Sequence, residues 1–175
     1  IGRSSRSNLI TYLKGFDEIR KLLAEQKLAQ INNLSPKFFS FNVDGGRCES
    51  CKGDGFIAID MQFMSDIKIK CENCNGKRYK EEILNIRYKG KNIYEILNMT
   101  VDTAYNFFEK EKQKSITKHL NTLKNVGLGY VKLGQNLSSL SGGEAQRLKL
   151  AYYLNRKIEN AIMIFDEPTT GLHIH

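Results

Sequence analysis

LSGGEAQRLKLA occupies residues 140–151 and decides how the rest of the chain is interpreted. Ser141 and Glu144 have the spacing of a capping box, in which each side chain pairs with a free backbone N–H of the first helical turn, so we predict a helix start there. Gly142 and Gly143 let backbone N–H groups approach an anion without obstruction, and the positive end of the helix dipole favours a phosphate. An ordinary capped helix is the alternative, and the residues that follow decide between the two.

A continuous apolar run, AIMIF at residues 161–165, comes after this helix. Such a run is typical of a strand that a parallel sheet buries on both faces. Asp166 and Glu167 follow it directly, at the carboxyl end of the strand, where α/β sheets place their ligands. We predict that Asp166 holds Mg²⁺, directly or through water, and that Glu167 is the base that polarises an attacking water. The alternative is an acidic pair on the surface.

Two CxxC pairs, Cys48/Cys51 and Cys71/Cys74, contain all four cysteines of the chain. Zn²⁺ prefers four tetrahedral ligands and thiolates are among its best, so the spacing predicts one structural zinc ion. Four protein ligands leave no open coordination position, which argues against a catalytic zinc. The alternative, two disulfides of a secreted protein, has no support elsewhere in the sequence.

The charge balance favours a polyanionic partner. The formal net charge is +8, from 27 basic and 19 acidic residues, which suits nucleic acid; a lysine-rich solubility surface is the alternative. Basic residues gather around the cysteine pairs, where they suit phosphate contacts and where Tyr79 is placed to stack on a base. A solvated charged rim would explain the same cluster. The candidate DNA-binding residues are Arg47, Lys52, Lys68, Lys70, Lys77, Arg78 and Lys80.

Apolar spacing along the rest of the chain predicts a mixture of helices and short strands. No apolar run approaches the length that crosses a bilayer. We predict a loop at residues 1–15, a helix at 16–32, strands at 38–43 and 83–88, a hairpin of strands 56–63 and 67–70, a helix from 101 capped by Thr100, and a helix around 116–123 that ends near Gly127.

Together these motifs resemble the ABC ATPase family, with residues 140–151 as the signature and 162–173 as the Walker B strand and following loop. Further stretches are similar to the second ATPase half of the UvrA family, the A subunits of the bacterial excinuclease. Glu144 stands where many transporters have Gln, as is usual in UvrA, and Ser5 stands where Pro is expected. The stretches are GRSSRSN, FSFNVDGGRCESCKGDG, CENCNGKRY, YKGKNI, VGLGYVKLGQ and DEPTTGLH.

The resemblance implies an α/β fold: part of an ABC-type ATPase domain with a helical signature subdomain, one core strand and an inserted four-cysteine zinc module. The segments expected are residues 1–44 (loop and helix), 45–92 (zinc module and β-rich flank), 93–139 (helical signature subdomain) and 140–175 (signature helix, Walker B strand and following loop).

The resemblance also implies how ATP is held. The two ATPase halves pack head to tail, so Ser141, Gly142 and Gly143 would touch the γ-phosphate of an ATP on the other half's Walker A loop. Asp166 and Glu167 would serve a different ATP. The chain contains no GxxxxGK[ST] motif, so we expect that loop upstream, the switch histidine downstream, and no ATP turnover by the chain alone. His173 is assigned no catalytic role.

At the level of function, the family resemblance implies a cytoplasmic, homodimeric repair ATPase that binds damaged double-stranded DNA, ATP and Mg²⁺ and loads UvrB. A UvrA-like paralogue for antibiotic self-resistance remains open as an alternative. A transporter ATPase fits poorly because a zinc module has no role there. A DnaJ-like chaperone zinc domain would need about twice as many cysteines.

Overall fold

The structure is a computed structural model and describes residues 7–59 and 67–154. The strand predicted at residues 161–165, together with Asp166, Glu167 and His173, lies outside the described residues. The chain divides into two compact units, one of residues 17–96 and the other of residues 1–16 with 97–175. The finer division into four segments stays a prediction. Among the described helices, none is long and apolar enough to cross a membrane.

The described elements are short helices and one two-stranded sheet. In chain order they are α1 Leu9–Tyr12, α2 Phe16–Ala24, α3 Lys27–Ile31, a 3-10 turn Pro36–Phe39, β1 Phe56–Ile59, β2 Ile67–Lys70, α4 Glu81–Leu84, α5 Ile93–Leu97, α6 Val101–Lys110, α7 Lys114–Asn125, a 3-10 turn Leu137–Ser139 and α8 Gly142–Leu154.

β1 and β2 form the predicted hairpin, of which residues 60–63 in the first predicted strand lie outside the described residues. They pair antiparallel, with Phe56 opposite Lys70 and Ile59 opposite Ile67. Because side chains alternate along a strand, one face carries only isoleucines and the other carries Phe56 and the lysines. The isoleucine face is about half exposed, at 43–49% for each side chain. Its members are Ile57, Ile59, Ile67 and Ile69.

The cysteine segment leaves and rejoins the rest of its unit at one point. The N–H of Lys80 donates to the carbonyl of Gly46 over 3.0 Å, and the N–H of Cys48 donates to the carbonyl of Arg78 over 2.8 Å. An antiparallel bridge between Arg47 and Tyr79 lies between these two bonds. The incoming and outgoing chains therefore run side by side at the base of the cysteine segment.

Tyr79 belongs to the core of this unit. Its side chain is 1% exposed, its hydroxyl donates to the carbonyl of Phe39 over 3.0 Å, and its ring meets that of Phe41 edge-on with centroids 6.3 Å apart. Burial raises the pKa of the Tyr79 phenol well above its usual range. The prediction that Tyr79 stacks on a base was therefore wrong: the aromatic at this position supplies core area instead.

In the other unit, α6 packs against α7 and α7 contacts α8. The predicted cap of α6 is confirmed, since the N–H of Thr103 donates to Oγ1 of Thr100 over 3.2 Å. α7 ends before Gly127, whose φ of +72° suits a glycine after a helix end. The buried side chains of α6 and α7 are Val101, Ala104, Phe108, Ile116, Leu120 and Leu123.

Two helix predictions need correction. The helix expected over residues 16–32 is two helices, α2 and α3, because the side-chain amide of Gln26 donates to the carbonyl of Leu22 over 2.7 Å, which replaces a backbone bond of a continuing helix. The loop expected over residues 1–15 contains α1, which begins with a capping box between Asn8 and Thr11.

Two strand predictions were also wrong. Residues 83–88 begin inside α4, where the adjacent Ile83 and Leu84 are both buried, which a strand with alternating faces does not allow. Residues 38–43 begin inside a 3-10 turn that Pro36 opens, and Phe39, Ser40 and Phe41 are buried in succession. The apparent alternation of aromatic and polar residues there does not reflect two faces.

Candidate metal centre and signature helix

The four cysteine sulfurs converge on one point. The Sγ atoms of Cys48 and Cys71 are 3.9 Å apart, those of Cys51 and Cys74 are 3.6 Å apart, and all four lie within 4.8 Å of one another. A tetrahedral zinc with Zn–S bonds of about 2.3 Å separates its sulfurs by about 3.8 Å, whereas a disulfide requires about 2.05 Å. The geometry fits one four-coordinate metal and not two disulfides.

The two CxxC turns repeat one backbone conformation. After the second cysteine of each turn, the first, second and fourth residues all have positive φ. The N–H three residues after that cysteine returns to its carbonyl, from Asp54 to Cys51 over 2.9 Å and from Lys77 to Cys74 over 2.8 Å. The φ values are +50°, +87° and +81° for Lys52, Gly53 and Gly55, and +50°, +76° and +72° for Asn75, Gly76 and Arg78.

Crossed backbone hydrogen bonds join the two turns. The N–H of Cys48 donates to the carbonyl of Arg78 over 2.8 Å, and the N–H of Cys71 donates to the carbonyl of Gly55 over 3.1 Å. Each turn thus binds its first cysteine to the fourth residue after the second cysteine of the other turn. The pair of turns has approximate two-fold symmetry, which is the arrangement that brings four sulfurs to one ion.

The environment of the thiols suits a cation. All four side chains are at most 7% exposed, and burial raises the pKa of Cys51 and raises the pKa of Cys74 to about 12. A hydrogen bond from the backbone of Cys74 lowers the pKa of Cys71. Buried thiolates are costly without a compensating charge, so a soft divalent cation is the group that this donor set would hold.

Three of the candidate DNA-binding residues point to solvent. Lys52, Lys68 and Lys70 are exposed, and the Lys68 ammonium also lies 4.8 Å from the centroid of the Phe56 ring. Because Lys68 and Lys70 share the hairpin face opposite the isoleucines, their charges stand together on one side of the sheet.

The other candidates are engaged within the fold. The Arg47 side chain is 12% exposed and pairs with Asp44 over 2.6 Å, and Lys80 pairs with Glu49 over 2.6 Å. The guanidinium of Arg78 lies over the ring of Phe41, 5.3 Å from its centroid. Lys77 is partly buried. Arg47, Arg78 and Lys80 thus have partners within the fold, which their positions in the sequence did not indicate.

The signature segment forms the predicted capping box at the start of α8. The N–H of Ser141 donates to Oε2 of Glu144 over 2.8 Å, and the N–H of Glu144 donates to Oγ of Ser141 over 3.3 Å. Ser141 and Gly142 are exposed. A Cβ built on Gly142 meets no heavy atom of the described chain within 4 Å, so the packing among the described residues does not require a glycine there.

Tyr130 contacts the same helix, which the sequence did not lead us to expect. Its hydroxyl donates to Oε1 of Glu144 over 2.7 Å, and the guanidinium of Arg147 donates to the Tyr130 oxygen over 3.2 Å. The hydrogen bond from Tyr130 lowers the pKa of Glu144 and the carboxylate raises the pKa of Tyr130. The only signal in the sequence is the position of Tyr130 within VGLGYVKLGQ, residues 126–135.

A family model described as ABC transporter matches residues 56–170, which include the second cysteine pair and the signature segment. The chain belongs to the ABC transporter family. Within that family it is 55% identical to UvrABC system protein A of Clostridium perfringens, over 100% of this chain and 18% of that protein. It is 53% identical to UvrABC system protein A of Aquifex aeolicus, over 99% of this chain and 19% of that protein.

A solved structure supports the same placement among ABC proteins. The crystal structure of UvrA2 from Deinococcus radiodurans is similar with a TM-score of 0.81 and 48% sequence identity, covering 87% of this chain and 19% of that one. The chain therefore spans less than a fifth of the length of these relatives. The resemblance to UvrA and the ABC ATPase-type fold, both predicted from the motifs, are confirmed.

The candidate site residues of this ABC family chain fall into four groups. The four cysteines are brought together, and Ser141, Gly142 and Gly143 lie at the start of one helix as expected. Of the basic residues, Lys52, Lys68 and Lys70 are exposed, Arg47, Arg78 and Lys80 have partners within the fold, and Lys77 is partly buried. Asp166 and Glu167 lie outside the described residues, so their Mg²⁺ and catalytic roles stay predictions.

Proposed function

We propose that this chain is part of the second ATPase half of a UvrA-type protein, the ATPase that recognises damage in bacterial nucleotide excision repair. The observation that carries the proposal is the open start of α8. Ser141 and Gly142 are exposed, and the space beside Gly142 is free within the described chain. A glycine that its own fold does not require is expected where a ligand approaches the backbone closely.

In this proposal the start of α8 receives the γ-phosphate of an ATP whose other phosphates lie on a Walker A loop of the opposite half. Backbone N–H groups and the positive end of the helix dipole stabilise the negative charge there. Phosphoryl transfer depends largely on such positioning and electrostatic stabilisation. For a different ATP, Asp166 would hold Mg²⁺ and Glu167 would act as base on the attacking water.

Gly142→Ala in the full-length protein tests this role. The added methyl meets nothing in the described chain, and alanine favours a helix over glycine, so stability should be unchanged or higher by up to about 1 kcal/mol. Hydrolysis should nevertheless fall by about 100-fold, because a group displaced by about an ångström at a reacting centre can cost that much. If the folded variant hydrolysed ATP at the wild-type rate, the proposal that the signature helix contacts ATP would be wrong.

For the metal, we propose one structural zinc ion held by Cys48, Cys51, Cys71 and Cys74. The ion would supply the charge that four buried thiolates need and would fix the base of the hairpin. Because all four positions of a tetrahedral ion are filled by protein, it would take no part in hydrolysis.

For DNA, we propose that the exposed lysines of the zinc module contact backbone phosphates. Lys52, Lys68 and Lys70 are exposed, whereas Arg47 and Lys80 already pair with carboxylates. Each neutralised phosphate releases condensed counterions, so affinity should fall steeply with salt. Such contacts carry no sequence information and should serve intact and damaged DNA alike.

Replacing these three lysines together with glutamine tests the DNA proposal. The log–log salt slope of DNA affinity should become shallower by up to about 2.7, at about 0.9 for each contact on duplex DNA. The matched control replaces Lys110, Lys114 and Lys118 with glutamine. These lysines are exposed on α6 and α7, and their replacement removes the same amount of charge. Equal salt slopes in wild type and both variants would show that the lysines of the module are solvated and do not contact DNA phosphates.

The partners proposed for the full-length protein are damaged double-stranded DNA, UvrB and a second copy of itself, and the proposed location is the cytoplasm. The names of the relatives, UvrABC system protein A, support the repair function. A resistance paralogue is the rival, since it would share both motif sets. Survival of a deletion strain after ultraviolet light separates them, because loss of a repair ATPase sensitises cells and loss of a resistance paralogue does not.

A further inference from the structure

Tyr130 is held rigidly by the residues on either side of it. The N–H of Asp102 donates to the carbonyl of Gly129 over 2.9 Å, and the N–H of Val101 donates to the carbonyl of Val131 over 2.9 Å. These donors belong to the first turn of α6, where backbone N–H groups have no partner within the helix. The segment that carries Tyr130 therefore complements the Thr100 cap, because it accepts the first two N–H groups of α6.

The residues on either side of Tyr130 are anchored in the core of their unit. Leu128 and Val131 are at most 1% exposed. Tyr130 itself is 60% exposed, so burial does not explain its side chain. The Tyr130 side chain instead makes polar contacts with Glu144 and Arg147 of α8.

Both oxygens of the Glu144 carboxylate are occupied. Oε2 accepts the N–H of Ser141 over 2.8 Å and Oε1 accepts the Tyr130 hydroxyl over 2.7 Å. Arg147 donates to the same hydroxyl over 3.2 Å, which places a positive charge behind it. The chain Arg147–Tyr130–Glu144 thus ends on the carboxylate that accepts the N–H of Ser141.

This contact matters because a carboxylate is a poor neighbour for a phosphate. Glu144 stands in the first turn of the helix whose start, in the proposed function, receives the γ-phosphate of ATP. Like charges at short range repel, and an amide at this position would carry no charge. A glutamate is therefore compatible with the role only if its charge is dispersed and its position fixed.

We infer that Tyr130 is a positioning residue for the signature helix, which fixes the Glu144 carboxylate and, with Arg147, disperses its charge so that Ser141, Gly142 and Gly143 can receive a phosphate. The inference rests on the proposed function and extends it to a residue outside the signature segment. Tyr130 acts through Glu144 and does not touch the nucleotide.

A double-mutant cycle in the full-length protein tests this inference. The variants are Tyr130→Phe, Glu144→Gln and the two combined, with steady-state ATP hydrolysis as the measurement. Tyr130→Phe should lower kcat about ten-fold, the size expected for one hydrogen bond to a charged group, with KM changed less than about two-fold. In the Glu144→Gln background the same change should cost less than about two-fold, because no charge is left to disperse.

The matched control is Tyr105→Phe. Tyr105 makes the same kind of contact, its hydroxyl donating to Oε1 of Glu109 over 2.7 Å, but on α6. It should leave kcat at the wild-type value. Thermal unfolding of every variant checks that the rates compare folded proteins.

Three results would overturn the inference. The first is wild-type kcat in Tyr130→Phe; the second is a ten-fold loss that persists with Glu144→Gln, since it would then not pass through the carboxylate; the third is an equal loss in Tyr105→Phe. Failure of the proposed function is a separate result: Gly142→Ala would hydrolyse ATP as wild type does. If Gly142→Ala is impaired and Tyr130→Phe is not, only the inference about Tyr130 fails.

Discussion

The two CxxC turns follow one backbone path with different side chains, and the difference is largest at one position. The fourth residue after the second cysteine is Gly55 in the first turn and Arg78 in the second, with φ of +81° and +72°. A Cβ at Gly55 would lie 2.9 Å from the carbonyl oxygen of Gly76, so glycine is required there. Arg78 accepts a conformation that costs a side chain about 1–2 kcal/mol.

The contact that offsets this cost is the stacking of Arg78 on Phe41, 5.3 Å from the ring centroid. A cation over an aromatic face contributes about 0.5–2 kcal/mol. The comparison indicates that the convergence of four sulfurs dictates the backbone conformation of both turns. Each turn accommodates that conformation with different side chains. Variants in the two turns therefore measure which features are imposed by the metal and which are local.

Loss of a ligand should have the largest effect, and the same effect in either turn. Cys48→Ser and Cys71→Ser should each reduce zinc from about one to about zero per chain and unfold the module, since metal binding of about 10–16 kcal/mol is coupled to local folding. Metal analysis and amide hydrogen exchange over residues 48–78 measure this in the full-length protein. Ser50→Ala, inside the first turn, is the control that keeps its zinc. If only one of the two ligand variants kept its zinc, the two turns would not be equivalent in metal binding.

The next effect distinguishes the fourth residues. Gly55→Ala should destabilise the module by roughly 1–3 kcal/mol, because it adds a clash to an unfavourable φ. Arg78→Gly should change stability by less than about 1 kcal/mol, because it relieves the φ strain and loses the ring contact together. The concentration of a competing chelator that removes half of the zinc reports both. Equal losses of stability in the two variants would show that the Arg78 side chain makes stabilising contacts beyond the one that offsets its own positive φ.

A smaller effect comes from the residues directly after the second cysteines. Lys52 and Asn75 both have φ of +50°, and asparagine adopts this region more readily than lysine. Lys52→Asn should therefore stabilise the module by about 0.5 kcal/mol, and Asn75→Lys should destabilise it by a similar amount. The same chelator titration measures the pair, and a change of the same sign in both variants would contradict the equivalence of the turns.

The smallest effect is expected in the hairpin that joins the two turns. Ile57 and Ile69 face each other across the strands and are 47% and 48% exposed. Replacing both with threonine, which keeps strand preference, should change module stability by less than about 0.5 kcal/mol. Thermal unfolding and zinc content test this, and a loss as large as that of Gly55→Ala would mean that these side chains are covered in the full-length protein.

Features with a local physical cause were predictable from the sequence. The cysteine spacing led to the sulfur cluster, Thr100 led to the start of α6, and the Ser141–Glu144 spacing led to the capping box, because each depends on residues within a few positions of one another or on a ligand preference. The exposed and paired lysines could not be separated, since Glu49 becomes the partner of Lys80 only through the folded turns.

Contacts between distant segments were not predictable. Tyr130 meets Glu144 because the first turn of α6 holds its loop by backbone bonds, and a single sequence carries no sign of such a contact. The strands expected at residues 38–43 and 83–88 failed for a related reason: burial of consecutive residues in a core mimics strand composition. Tertiary packing decided both cases over local preference.

The cysteine segment begins and ends at neighbouring positions, because the incoming and outgoing chains run side by side at its base. Gly46 and Lys80 are hydrogen-bonded neighbours, and Arg47 and Tyr79 form a bridge, so what lies between them closes on itself. A two-residue turn could join these ends without redirecting the flanking chain. We therefore expect that this segment can be lengthened, deleted or grafted as one unit, together with the metal proposed for it.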